Sequence, residues 1–282
     1  MTSAVNSVSR MWYKFKTLAG LSLASVFLVQ IHGFDNTLIN SIERKSSCMK
    51  DVPFTLEDHI FYGLQLDEKQ KAFRDAIWDP KKLIVMCNSK AGTGKSTIAM
   101  ATANLLVEHG VYDGIIYLVS PTQEQKQGFL PGDQEAKTAP YIQPLRDALL
   151  SININPDRVI ISDNNDSAAA KRGDAYVHFM ADTYLRGCNL ENKVVIIDES
   201  QNFYFDQLKR ALTRIHDTCK TIVIGHTKQC DLYKNPNRSG FIIYLNAFAE
   251  IAKEDERIAI CELTKNYRGW VSTIADNVEP TY

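Results

Sequence analysis

Residues 83–97 read LIVMCNSKAGTGKST and leave little choice of local structure. Leu83-Ile84-Val85-Met86-Cys87 is a short apolar run of the kind that forms a strand buried on both faces. KSTIAMATANLLVE, residues 95–108, reads as a helix. SKAGTGKS joins the two as a glycine-rich turn that ends in lysine and serine. A turn between a strand and a helix N-terminus is a phosphate cradle, because unpaired amides and the helix dipole face the anion. Ser89, Lys90, Ala91, Gly92, Thr93, Gly94, Lys95, Ser96 and Thr97 are its expected lining. In that reading Lys95 reaches the β- and γ-phosphates of ATP and Ser96 holds Mg2+. The pattern G-x-x-x-x-G-K-[ST] asks for glycine where Ser89 stands, and a small serine is expected to permit the same turn.

Three further apolar runs, Ile115–Val119, Val194–Ile197 and Thr221–Ile224, repeat the strand signal and are separated by helical stretches. The expected fold class is α/β, a mostly parallel sheet with helices on both faces. Phe205, Leu208, Leu212 and Ile215 recur at helical spacing and are expected to be core. Residues 120–150 carry four prolines and are expected to be mainly loop and short helix. Residues 162–174 open like a calcium loop but lack glycine at the sixth position and glutamate at the twelfth, so they read as a surface loop.

The second chemical motif is VVIIDES, residues 194–200, which delivers Asp198 and Glu199 to the carboxyl end of a strand. Open α/β sheets bind ligands at that end. Asp198 is placed to join Ser96 at the metal, and Glu199 to polarise an attacking water. GHTKQ, residues 225–229, leaves the next strand, and Gln229 is the candidate reporter of hydrolysis, with His226 either beside it or a capping residue. Gln70, on an amphipathic helix before the loop, has an amide suited to an adenine edge, or is an exposed helical glutamine. Arg214 and Arg268 are candidates to stabilise transferred-phosphoryl charge, or are surface arginines.

Composition excludes more than it selects. Net charge is −1, so no global basic field marks a nucleic-acid or membrane binder. The six cysteines are scattered, which suits reduced thiols and no zinc site. Residues 1–55 form an expected N-terminal extension and residues 56–282 the ATPase domain. Residues 17–34 lack Asp, Glu, Lys and Arg and follow a basic start, yet their apolar part is short against the ~20 residues of a membrane span. A packed or dispensable segment is favoured over a signal or anchor, with a cytoplasmic location because the domain needs ATP.

The motifs together resemble the PhoH-like family, phosphate-starvation-inducible P-loop ATPases related to superfamily 1 helicases. The resemblance runs from about residue 60 to the end, on SKAGTGKS, GFLPGDQEAKTAPYIQPLRDAL, FMADTYLRGCNLENKVVIIDESQN, LTRI and GHTKQCDL. It implies a RecA-like domain that hydrolyses ATP with Mg2+ and is linked to RNA metabolism. Because the chain has room for one such domain, movement on RNA or single-stranded DNA is expected to need a homo-oligomer. By resemblance Lys95, Ser96, Asp198, Glu199, Gln201 and Gln229 take the nucleotide roles, and Arg186, Arg214 and Arg268 couple across an interface. The chain departs from the family at Ser89, at His226 where aspartate is usual, at Ser120 where arginine is usual, and in the N-Y-R of LTKNYRG. A small version of this kind is typical of bacteriophages, which would place it in host cytoplasm.

Two other readings share the same motifs, a P-loop phosphotransferase and a non-catalytic nucleotide switch. Lys126, Lys137, Arg146, Phe129 and Tyr141 in the insertion suit a single-stranded nucleic acid. Packing of the two aromatics onto the sheet is the favoured alternative.

Overall fold

The computed structural model describes residues 52–53, 55–57, 61–120, 134–161, 175–185, 187–229, 239–276 and 278, without the side chains of 134–140 and 276. These lie within one compact unit, Lys50–Tyr282. In chain order the elements are α1 (Glu68–Trp78), β1 (Ile84–Ser89), α2 (Lys95–Glu108), β2 (Ile115–Val119), α3 (Gln134–Ser151), α4 (Pro156–Val159) and β3 (Ile160–Ile161). There follow β4 (Val177–Ala181), β5 (Val194–Ile197), α5 (Phe205–Leu212), β6 (Lys220–Gly225), α6 (Gly240–Ile251), β7 (Ile258–Leu263) and α7 (Trp270–Asp276). Short 3-10 turns at Asp182–Leu185 and Ser200–Asn202 follow β4 and β5.

The seven strands form one sheet in the order β3-β4-β2-β5-β6-β1-β7, every pairing parallel. Successive side chains on a strand point to opposite faces. Val85, Cys87, Tyr117, Ile196 and Ile222 therefore pack against α1, α2 and α3. Met86, Leu118, Val195, Ile197 and Val223 pack against Leu208 and Ala211 of α5 and Phe241 of α6. Helices thus cover both faces, as expected. Ile98 through Leu106 of α2 are buried without a break, which explains why that helix is small and apolar all round.

The expected strands appear as β1, β2, β5 and β6. The expectation for residues 120–150 needs correction: residues 134–151 form one helix that contains Pro140 and Pro144. Each proline removes one helical amide donor. Burial of Leu145, Ala148 and Leu149 against the main core offsets that loss. The stripe expected to be core is graded: on α5 Leu208 is fully buried and Leu212 half-buried. Ile215, just past the helix, is half-buried, and Phe205 is half-buried against Tyr244 rather than in the core. Residues 162–174 and 1–51 lie outside the described residues, so the loop and extension readings are not addressed there.

Parallel pairing puts the carboxyl ends of all strands at one edge. β1 and β5 are separated there only by β6. The three segments singled out by sequence, after β1, β5 and β6, meet at that edge.

Candidate active site

The cradle starts from β1. Gly92 and Gly94 have φ of +74° and +79°, a left-handed backbone that glycine adopts without penalty. The Thr93 hydroxyl donates to Lys90 O (3.1 Å), and Gly94 O accepts from Ile98 N–H (2.9 Å) to start α2. Ser89 is different. It is the last residue of β1, opposite Leu263 of β7, and has no left-handed φ. The position that the motif assigns to glycine here makes no conformational demand for it, and the serine is buried, 2% exposed.

Asp198 follows β5 and is 1% exposed. Ser96 Oγ donates to its Oδ2 (2.8 Å), the Tyr117 hydroxyl donates to the same oxygen, and Glu199 N–H donates to Oδ1 (2.7 Å). Three donors offset the cost of burying a carboxylate. Burial first, and then the Asp198 charge, push the Tyr117 hydroxyl well above its ordinary range, so it remains a donor. Sequence reading treated Tyr117 only as strand core and missed this contact.

Glu199 sits in the left-handed region at φ 47°, an arrangement rare for a side-chain-bearing residue and concentrated at functional sites. Its carboxylate is half exposed, lies 3.7 Å from Lys95 Nζ, and accepts from Gln201 Nε2 (2.5 Å). The Gln201 side-chain Oε1 accepts His226 N–H (3.0 Å), so one buried amide links Glu199 to the loop after β6. Ser200 Oγ donates to Ile224 O (2.7 Å) across the same junction. A Cβ on Gly225 would fall 2.6 Å from Ser200 Oγ and 3.0 Å from Gln201 Oε1, which explains the glycine there. Thr227 N–H donates to Asn88 Oδ1 (3.2 Å), tying this loop back to β1. Gln229 is exposed beyond these contacts, and His226 is buried.

Gln70 is buried and braces the cradle. Its Nε2 donates to Thr93 O (2.9 Å) and its Oε1 accepts Asp67 N–H (3.0 Å) in a reciprocal cap of α1. The amide proposed for an adenine edge is therefore engaged with the protein itself. The N-Y-R segment also reaches the cradle. Tyr267 N–H donates to Gly92 O (2.8 Å), and its hydroxyl donates to Asp67 Oδ2 (2.7 Å). Arg268 stands beside Gly92, since a Cβ there would lie 2.9 Å from Arg268 Cγ. Arg214 is not brought to this site within the chain. Helix α5 carries it to the opposite edge, where its carbonyl accepts Leu190 N–H (3.0 Å) ahead of β5.

In the insertion, Arg146 pairs with Asp157 (2.9 Å) and Tyr141 packs on the core, in keeping with the packing alternative. Lys126, Phe129, Arg186 and the Lys137 side chain lie outside the described residues. Cys87, Cys188, Cys219 and Cys261 are free thiols, and burial pushes Cys261 up to about 11. Among the described residues no helix is long and apolar enough to cross a membrane.

Ser96 Oγ and Asp198 offer hard oxygens. That donor set fits Mg2+, which keeps several waters and takes only one or two protein ligands beside substrate phosphates. Ser96 points its proton at Asp198, which leaves its lone pairs for a cation.

A PhoH-like protein of Synechocystis sp. is 36% identical over 199 residues, covering 70% of this chain and 55% of that protein. Protein PhoH of Escherichia coli is 33% identical over 203 residues, covering 72% of this chain and 53% of its own length. The chain thus spans about half the length of the curated relatives it matches. The Pyrococcus furiosus Hef helicase domain is similar at a TM-score of 0.41 and 17% identity, over 74% of this chain and 40% of that chain. The parallel sheet with helices on both faces is the α/β fold class expected from sequence. The family profile described as PhoH-like protein matches residues 65–269, and the chain belongs to the PhoH-like family.

Proposed function

We propose that the protein is a Mg2+-dependent ATPase whose turnover is coupled to single-stranded RNA or DNA. The observation that carries the hydrolytic part is the Ser96–Asp198 hydrogen bond with the Lys95–Glu199 ion pair beside it. Together they join the helix that opens on the phosphates to the strand that ends in acids.

Amides of residues 92–96 cradle the β-phosphate, and Lys95 turns from Glu199 to the γ-phosphate as ATP enters. That exchange frees the Glu199 carboxylate to take a proton from the attacking water. Ser96 and Asp198 would hold Mg2+, which supplies positive charge at the β- and γ-phosphates. Gln201 holds Glu199 in place and passes its position to the His226 loop and Gln229. Arg268 approaches the cradle from within the chain, while Arg214 would serve only across a subunit boundary in a homo-oligomer. Residues 56–282 are taken as the ATPase domain and residues 1–55 as an extension, working in the cytoplasm where ATP is held.

The test is phosphate release with no added acceptor, read beside binding of a fluorescent ATP analogue. Glu199→Gln is expected to keep binding and lose about 100-fold or more in rate. Near-absence of phosphate release, with ADP and a phosphorylated acceptor formed once an acceptor is added, would establish the phosphotransferase reading. Equal, near-zero rates in parent and variant with intact binding would establish the switch. Salt-dependent binding of a labelled single strand tests the coupling, and sedimentation with and without ATP tests the oligomer.

A further inference from the structure

The inference concerns Tyr117 and rests on the Mg2+-nucleotide reading of the site. We propose that Tyr117 is a positioning residue, whose hydroxyl sets which oxygen of Asp198 faces the metal. Tyr117 lies in the middle of β2, fully buried. On one side it is in register with Phe179 of β4, whose ring stacks on its own (centroids 6.5 Å apart, planes at 24°). On the other it is in register with Ile196 of β5, just ahead of Asp198. The ring is held on both flanks, so the hydroxyl is delivered to a fixed point.

At that point it donates to Asp198 Oδ2, the oxygen that also accepts the Ser96 hydroxyl. Oδ2 then has both lone pairs engaged. Among the described residues Oδ1 accepts Glu199 N–H alone and keeps a lone pair for a cation or its water. A carboxylate torsion is broad and two-fold in itself. The tyrosine, the serine and the Glu199 amide remove that freedom before any metal arrives. Phenylalanine would fill the same core volume, so the hydroxyl alone carries the proposed role.

The experiment titrates a fluorescent ADP analogue in EDTA and again in Mg2+, on the full chain and on Tyr117→Phe. The unaltered protein is expected to bind more tightly in Mg2+. Tyr117→Phe is expected to match it in EDTA and to lose about tenfold of the Mg2+-dependent gain, the size of one hydrogen bond to a charged group. A full Mg2+ gain in Tyr117→Phe overturns the proposal, as does an equal loss in both buffers, which marks a merely structural tyrosine. If the unaltered protein binds equally in both buffers, the Mg2+ part of the proposed function falls and the proposal with it. Should Tyr117→Phe fail to fold, Phe179→Leu loosens the ring and keeps the hydroxyl. A smaller loss of the Mg2+ gain is then expected, and no loss overturns the proposal.

Discussion

Replacing Gly92 by alanine tests whether the N-Y-R segment and the phosphate loop are one packed unit. The new Cβ would lie 2.5 Å from Asn266 Oδ1 and 2.9 Å from Arg268 Cγ, on a backbone with φ +74°. Arg268 is exposed and can swing aside, whereas Asn266 cannot move without cost. Its Oδ1 accepts Arg268 N–H (2.8 Å) and its Nδ2 donates to Ser272 Oγ (2.7 Å). The left-handed backbone costs an alanine about 1 kcal/mol, and two displaced hydrogen bonds cost about 1 kcal/mol each. Gly92→Ala should therefore lose roughly 3 kcal/mol of stability, and Asn266→Ala, which forfeits only the bonds, roughly 2. Without a shared clash the double variant would lose roughly 5 kcal/mol, but with Asn266 already truncated only roughly 3 is expected. Urea unfolding of the four proteins reads that coupling of about 2 kcal/mol directly. Strict additivity would refute the packing of Asn266 on Gly92.

Other consequences are open to the same measurement. Lys220 is 1% exposed, with Nζ donating to Asp79 O (2.6 Å) and Lys82 O, and burial lowers its pKa from 10.5 to about 8. Between those values the unfolded chain binds the extra proton. The stability of the parent relative to Lys220→Met should therefore rise with pH above about 8, by at most roughly 1.4 kcal/mol per unit. A difference that stays flat from pH 8 to 10 would discard that account. Ser89→Gly should leave ATP affinity unchanged, because Ser89 already holds a strand backbone, and should lower stability by about 0.5–1 kcal/mol. A marked gain in affinity would show that the serine strains the cradle.

How much of this was legible depended on where the information lay in the chain. β1, β2, β5 and β6 announce themselves as unbroken apolar runs because each is buried on both faces. β7 does not, since IAICEL runs along the sheet edge and exposes Ile260 and Glu262. β3 has only two residues, and half-exposed β4 interposes His178. Helix α3 was hidden by Pro140 and Pro144, whose local penalty is outweighed by packing that local sequence does not display. Within the site, fixed spacing and strand-end placement single out Lys95, Ser96 and Asp198, which the fold draws together at one edge of the sheet. Gln70 was found as well, but its amide braces Thr93 and caps α1.

The sequence by itself determined the strand-loop-helix cradle, the acids at a strand end and the family. Local periodicity and motif spacing are short-range properties, and these features need nothing more. Tertiary structure decided the rest. Insertion of β6 between β1 and β5 brings Asp198 to Ser96 from 102 residues away. Parallel register brings the Tyr117 hydroxyl to the same carboxylate from 81 residues away. The direction of α5 takes Arg214 to the far edge, while the return of the chain after β7 lays Asn266, Tyr267 and Arg268 on Gly92. Those partners are chosen by strand order and register, which bury apolar faces collectively and leave no trace in any single stretch of chain.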